Sequence, residues 1–162
     1  DYTVDAYLGV MRNTPKASEQ LDYAQKLLSF NGLTTEQQEE ARYYRAKASL
    51  EKKDKTQAES DLKELTKNVK SLFGAKAAVE LGELYLADAR LSDAESLLVE
   101  FTDEGTPHQY WLARGFIVLA DVYAAQGKTS LAKEYVKSLR DNYPGSEPDI
   151  HDMINQRLKN YK

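Results

Sequence analysis

Apolar positions along the chain recur at intervals of three and four residues, in blocks separated by short stretches rich in Gly, Pro, Asn and Thr. That period belongs to helices with one buried face. The blocks predict helices near 3–12, 17–30, 35–52, 55–70, 75–88, 92–103, 108–126, 129–142 and 147–160. Ala, Leu, Glu, Lys and Gln dominate them and β-branched residues are sparse, as suits residues that lose least on entering a helix. Asn31-Gly32 closes one block, glycine being suited to a left-handed cap. Thr34 or Thr35 is placed to cap the next helix, with Gln37 or Gln38 three residues on, and Ser92 with Glu95 has the same capping-box spacing. Pro107 suits a helix start and Pro144-Gly145 a helix end. The chain is expected to be all-α.

The blocks also repeat. Ala78-x-x-Leu81-Gly82-x-x-Tyr85 is followed by Ala94-x-x-x-Leu98. Phe116-x-x-Leu119-Ala120-x-x-Tyr123 is followed by Ala132-x-x-x-Val136 and then Pro144. In both, a small residue of the first helix (Gly82, Ala120) precedes the Ala of the second by 12 positions, and the same offset links Ala46 to Ala58 in a weaker copy. Ala46 to Gly82 is 36 residues and Gly82 to Ala120 is 38. Small residues at these two positions let paired helices approach closely, while the large ones fill the space between units.

This pattern resembles the tetratricopeptide repeat, a helix–turn–helix unit of about 34 residues. The resemblance covers residues 39–146 well. It implies a right-handed superhelical solenoid of antiparallel helix pairs, in which no unit buries its apolar face alone. On this reading residues 1–162 form a single solenoid domain. Its units are 3–32 (degenerate, keeping Tyr7-Leu8-Gly9), 39–72, 75–106 and 113–146. Ile150, Met153, Ile154, Leu158 and Tyr161 share one helical face and predict a capping helix at 147–160, with Arg157, Lys159 and Lys162 at its dipole-favoured end. The chain starts at Asp1, almost at a helix start, and further repeats are expected upstream. The stretches Glu40–Lys47 and Thr106–Gly115 also resemble the C-terminal part of large bacterial multi-repeat proteins, often associated with the cell envelope.

In this family ligands commonly lie in a concave groove lined by the first helix of each pair. Carried over position by position, the resemblance implies that Glu40, Tyr43, Lys47, Leu50 and Glu51 face the groove in the second unit. In the third these are Lys76, Val79, Glu83, Leu86 and Ala87, and in the fourth Arg114, Ile117, Asp121, Ala124 and Ala125. The Lys and Asn pattern with which chaperone-tail receptors clamp a carboxylate is absent, since the ninth positions are Lys47, Glu83 and Asp121. Tyr43, Lys47, Leu50, Lys76, Val79, Glu83, Leu86, Arg114, Ile117 and Asp121 are therefore the expected partner-binding residues, for a protein or peptide.

Composition narrows the field further. The net charge is −4 over 162 residues, which argues against nucleic acid. No apolar run approaches the length of a membrane span. Without cysteine there are no disulfides, thiolate metal sites or thiol nucleophiles. His108 and His151 are 43 residues apart and fit no ligand spacing. No phosphate loop, nucleophile elbow or dinucleotide fingerprint occurs. No catalytic, cofactor or metal site is expected. Trp111, the single Trp, is expected to pack between repeats. From Val79 to Glu104 eight acids face one base, Arg90, a stretch of net −7 that is either a solvated face or a surface steering a basic partner. The favoured reading is a non-catalytic protein-binding scaffold. The alternative is a structural spacer or self-association segment, with exposed apolar surface at Tyr2, Val4, Tyr7 and Leu8 and packing on upstream repeats.

Overall fold

The computed structural model describes residues 2–161. Asp1, placed by the sequence at a helix start, and Lys162, in the cationic end, lie outside the described residues. Among these, the chain forms nine α-helices and no strand. They are α1 (Tyr2–Asn13), α2 (Ala17–Leu28), α3 (Thr35–Glu51), α4 (Lys55–Leu65), α5 (Leu72–Ala87), α6 (Leu91–Glu104), α7 (Gln109–Ala125), α8 (Thr129–Asn142) and α9 (Pro148–Asn160). Every expected helix is present. α4 stops at Leu65 because the chain tightens into a 3-10 turn at Thr66–Asn68. α5 starts early because Ser71 caps it, its Oγ accepting from Gly74 N–H at 3.0 Å.

The Thr34 capping box forms, with Gln37 N–H donating to Thr34 Oγ1 (3.1 Å) and Thr34 N–H to Gln37 Oε1 (3.0 Å). The Ser92 box does not. A left-handed residue at Ala89 brings Arg90 to the N-cap, so Ser92 already lies inside the helix, and Arg90 pairs with Asp93 instead.

The helices gather into two compact units, Asp1–Lys67 and Asn68–Lys162. In the first, α2 packs on α1 and α3, and α3 on α4. Val4, Leu8, Met11, Ala24, Leu27, Leu33 and Ala41 form its core, so the apolar N-terminal end that the self-association alternative expects exposed is mostly interior, although Tyr2 is 90% exposed. The Arg12 guanidinium grips Glu40 through two hydrogen bonds of 2.5 and 2.6 Å. Asp61 is fully buried and accepts from Arg45 Nε (2.9 Å) and Nη2 (2.7 Å), and from Gln57 Nε2 (3.1 Å), with Arg42 Nη1 at 3.4 Å.

In the second unit α5 packs on α6 and α7, α7 on α6 and α8, and α9 lies across α7 and α8. α9 buries Ile150 and Ile154 completely, as its one-faced spacing predicts. Two glycines within helices allow close approach of a neighbouring helix. A methyl group at Gly82 would lie 2.9 Å from both Cδ atoms of Leu98, and one at Gly115 would lie 2.6 Å from Phe101 Cε2.

The repeat is also written in the backbone. Lys53 (φ 66°), Ala89 (φ 59°) and Gly127 (φ 82°) are left-handed, 36 residues (53 to 89) and 38 residues (89 to 127) apart. Each sits in the same turn, closed by matching 2.8 Å bonds: Asp54 N–H to Ser49 C=O, Arg90 N–H to Tyr85 C=O, and Lys128 N–H to Tyr123 C=O. The template's small residues Ala46, Ala58, Gly82, Ala94, Ala120 and Ala132 are all buried.

Candidate functional site

Three of the ten expected binding residues lie on α3 in the first unit. Tyr43 is interior, its ring edge-on to Tyr44 at 5.8 Å, Lys47 is exposed with its ammonium 5.9 Å from the Tyr44 ring, and Leu50 is half-buried. The other seven lie in the second unit. Val79 is wholly interior, so its side chain is core rather than display. Lys76 is half-buried, its ammonium 5.5 Å from the Trp111 ring. The remaining five, Glu83, Leu86, Arg114, Ile117 and Asp121, converge on one groove, with Ile117 almost wholly buried beneath it.

The groove encloses about 480 Å³ between α5, α7 and α9. Helical spacing explains its walls. Glu83, Leu86 and Ala87 fall on one face of α5, Arg114, Ile117, Val118 and Asp121 on one face of α7, and Met153, Gln156 and Arg157 on one face of α9. Leu86, Ile117, Val118 and Met153 make an apolar interior, and charges of both signs stand around it.

Those charges are already arranged. Arg114 Nη2 donates to Glu83 Oε1 (3.2 Å) and its Nη1 to the Tyr110 hydroxyl (3.1 Å), and that hydroxyl donates to Asp149 Oδ2 (2.5 Å). Burial, and then the bond to Asp149, raises the Tyr110 hydroxyl above its usual range. At the other end Arg157 Nε and Nη2 close on Asp121 at 3.0 and 2.9 Å, and the Tyr161 hydroxyl donates to the same carboxylate. Burial, and then Asp121, pushes the Tyr161 hydroxyl up. Trp111 is half-buried, edge-on to Tyr110 at 5.1 Å, with the Arg114 guanidinium 5.6 Å and the Lys76 ammonium 5.5 Å from its ring.

The α9 wall is what the sequence missed. Arg157 carried the signal of a helix-end cation, but it shares a face with Met153 and Tyr161, four residues to either side, and its guanidinium serves Asp121 rather than the helix terminus. Asp121, expected to be available to a partner, is thus engaged from within the chain.

His108 is the N-cap position of α7 and makes no capping bond through its side chain, and the His151 ring lies 6.2 Å from that of Tyr143. Among the described residues no group of three or more His, Asp or Glu is placed to hold a metal ion, and no helix is long and apolar enough to cross a membrane. The arrangement sets apolar contact area beside charge-assisted hydrogen bonds. No protein-family model matches the chain, and none of the curated proteins compared with it shows detectable similarity.

Proposed function

We propose that this chain is a non-catalytic protein-binding scaffold of the tetratricopeptide type, holding a partner protein or peptide in the groove between α5, α7 and α9. The supporting observation is the convergence of Glu83, Leu86, Arg114, Ile117 and Asp121 on one groove of about 480 Å³ with an apolar interior and charged walls. A scaffold needs prearranged polar groups beside apolar contact area, because ordering side chains on binding costs affinity. The Glu83–Arg114–Tyr110–Asp149 chain supplies that order before any partner arrives.

The test places a photo-crosslinking residue at Leu86 in one variant and at exposed Lys137 on α8 in another, and exposes both to an extract of the native source. Adducts formed from position 86, competed away by excess unmodified chain and missing from position 137, are expected. Equal labelling from both positions, or none from 86, refutes the groove reading. A mass that rises with concentration in sedimentation, with no other protein present, favours the self-association alternative.

A further inference from the structure

A second hollow lies in the Asn68–Lys162 unit, lined by α6, α7 and α8. It encloses about 530 Å³, within the range of about 300–1,000 Å³ typical of ligand pockets. Leu112 and Phe116 of α7 and Tyr135 and Leu139 of α8 give it apolar walls, all four only partly buried. The Phe116 and Tyr135 rings meet at 6.3 Å, and Tyr135 is backed in turn by Tyr123 at 5.3 Å, so this wall is stiff.

Its charge is one-sided. Asp103 on α6 and Glu134 on α8 line opposite walls, and no Lys or Arg lines the hollow. Much of the acidic stretch Val79–Glu104 is compensated: Glu83 by Arg114, Asp93 by Arg90, Glu95 by Lys128. Asp103 and Glu134 form no ion pair among the described residues. Asp103 and Glu104 also close α6, whose last turn has no basic residue, where the backbone dipole disfavours carboxylates. Lys70 is spent on the Glu104 and Gly105 carbonyls, at 2.8 and 2.9 Å.

From this complementarity we infer that the α6–α7–α8 hollow docks a basic amphipathic segment of a partner protein, its large apolar side chains entering between Phe116 and Leu139 and its Lys or Arg residues pairing with Asp103 and Glu134. A helical or extended segment laid along a trough between helices is a common recognition mode. Uncompensated charge on both walls selects cations and rejects acidic segments. The hollow is lined by residues other than those of the α5–α7–α9 groove, so either site can fail alone.

The probe is a fluorescein-labelled 14-residue synthetic peptide with Phe and Leu spaced i,i+4 among Lys and Ala, beside a twin with Glu at every Lys position. Anisotropy with the full 162-residue chain is expected to show saturable binding of the Lys peptide and none of the Glu twin. Amide shifts in 15N–1H spectra should centre on Leu112, Phe116, Tyr135 and Leu139. The exposed pair Asp103→Lys/Glu134→Lys should weaken binding at least tenfold. Glu19→Lys/Glu36→Lys, which changes net charge equally on exposed sites of the other unit, should stay within twofold. No saturable binding, equal binding of the Glu twin, shifts centred on Glu83 and Arg114, or equal weakening by both pairs would each overturn the inference.

Discussion

The α3/α4 hairpin and the two hairpins after it make the same left-handed turn, yet their interiors are built from opposite materials. Where α5/α6 places Leu81, Tyr85 and Leu97, and α7/α8 places Leu119, Tyr123 and Tyr135, α3/α4 places Arg45, Ser49 and Asp61. In α7/α8 the last two positions meet as rings, Tyr123 against Tyr135 at 5.3 Å. In α3/α4 the third position is a buried carboxylate held by two hydrogen bonds from Arg45 and one from Gln57. Backbone spacing and small residues thus specify the hairpin, and either apolar packing or a hydrogen-bonded ionic cluster can fill it. The two fillings differ in what they tolerate, because a buried charge is costly unless every partner is present.

The largest expected effect follows from removing one partner. Asp61→Ala leaves Arg45 without its carboxylate, and breaking a buried pair in this way costs about 3–5 kcal/mol. Native-state hydrogen exchange of the α3 and α4 amides measures it in the unit concerned. Arg45→Leu/Asp61→Leu copies the filling of the later hairpins, and apolar replacement of a buried pair is neutral or stabilising by about 1–4 kcal/mol. If the double variant exchanges as fast as Asp61→Ala, the two fillings are not interchangeable and the comparison fails.

Glycine substitutions come next. Gly115→Ala drives a methyl group into the Phe101 ring, which cannot bend away, and overpacking of this kind costs about 1–3 kcal/mol. Gly82→Ala meets the branched end of Leu98 (both Cδ atoms at 2.9 Å, Cγ at 3.1 Å), which can turn where a ring cannot, and the helix propensity gained, about 1 kcal/mol, offsets part of the contact. Urea unfolding curves should therefore separate the two variants. Equal losses would mean that both glycines are needed for backbone approach alone.

The smallest effects lie in the turns. Lys53 and Ala89 hold the left-handed conformation with a Cβ, whereas Gly127 does not. Lys53→Gly and Ala89→Gly should each stabilise their hairpin by about 0.5–1 kcal/mol, and Gly127→Ala should cost about 1 kcal/mol. Thermal unfolding of the three variants checks the signs, and a loss for either glycine variant would show that the turn is held by something other than its dihedral.

The spacing of apolar and small residues was sufficient to place all nine helices and the 36- and 38-residue periods, because helix geometry and close approach are local demands that each block must meet by itself. The positions carried over from the tetratricopeptide resemblance include Glu83, Leu86, Arg114, Ile117 and Asp121, which lie on the α5 and α7 faces that line the groove. The weak α3/α4 copy was legible only through Ala46 and Ala58; the pairing of Arg45 with Asp61 across the two helices carried no signal in the sequence. The sequence showed an acidic stretch, but not that Glu83 is paired while Asp103 forms no ion pair among the described residues. Nor could it show that Arg157 would cross from α9 to Asp121. Such pairings depend on which residues distant in sequence come within reach, and that is decided when helices pack against one another, not by the residues of any one helix.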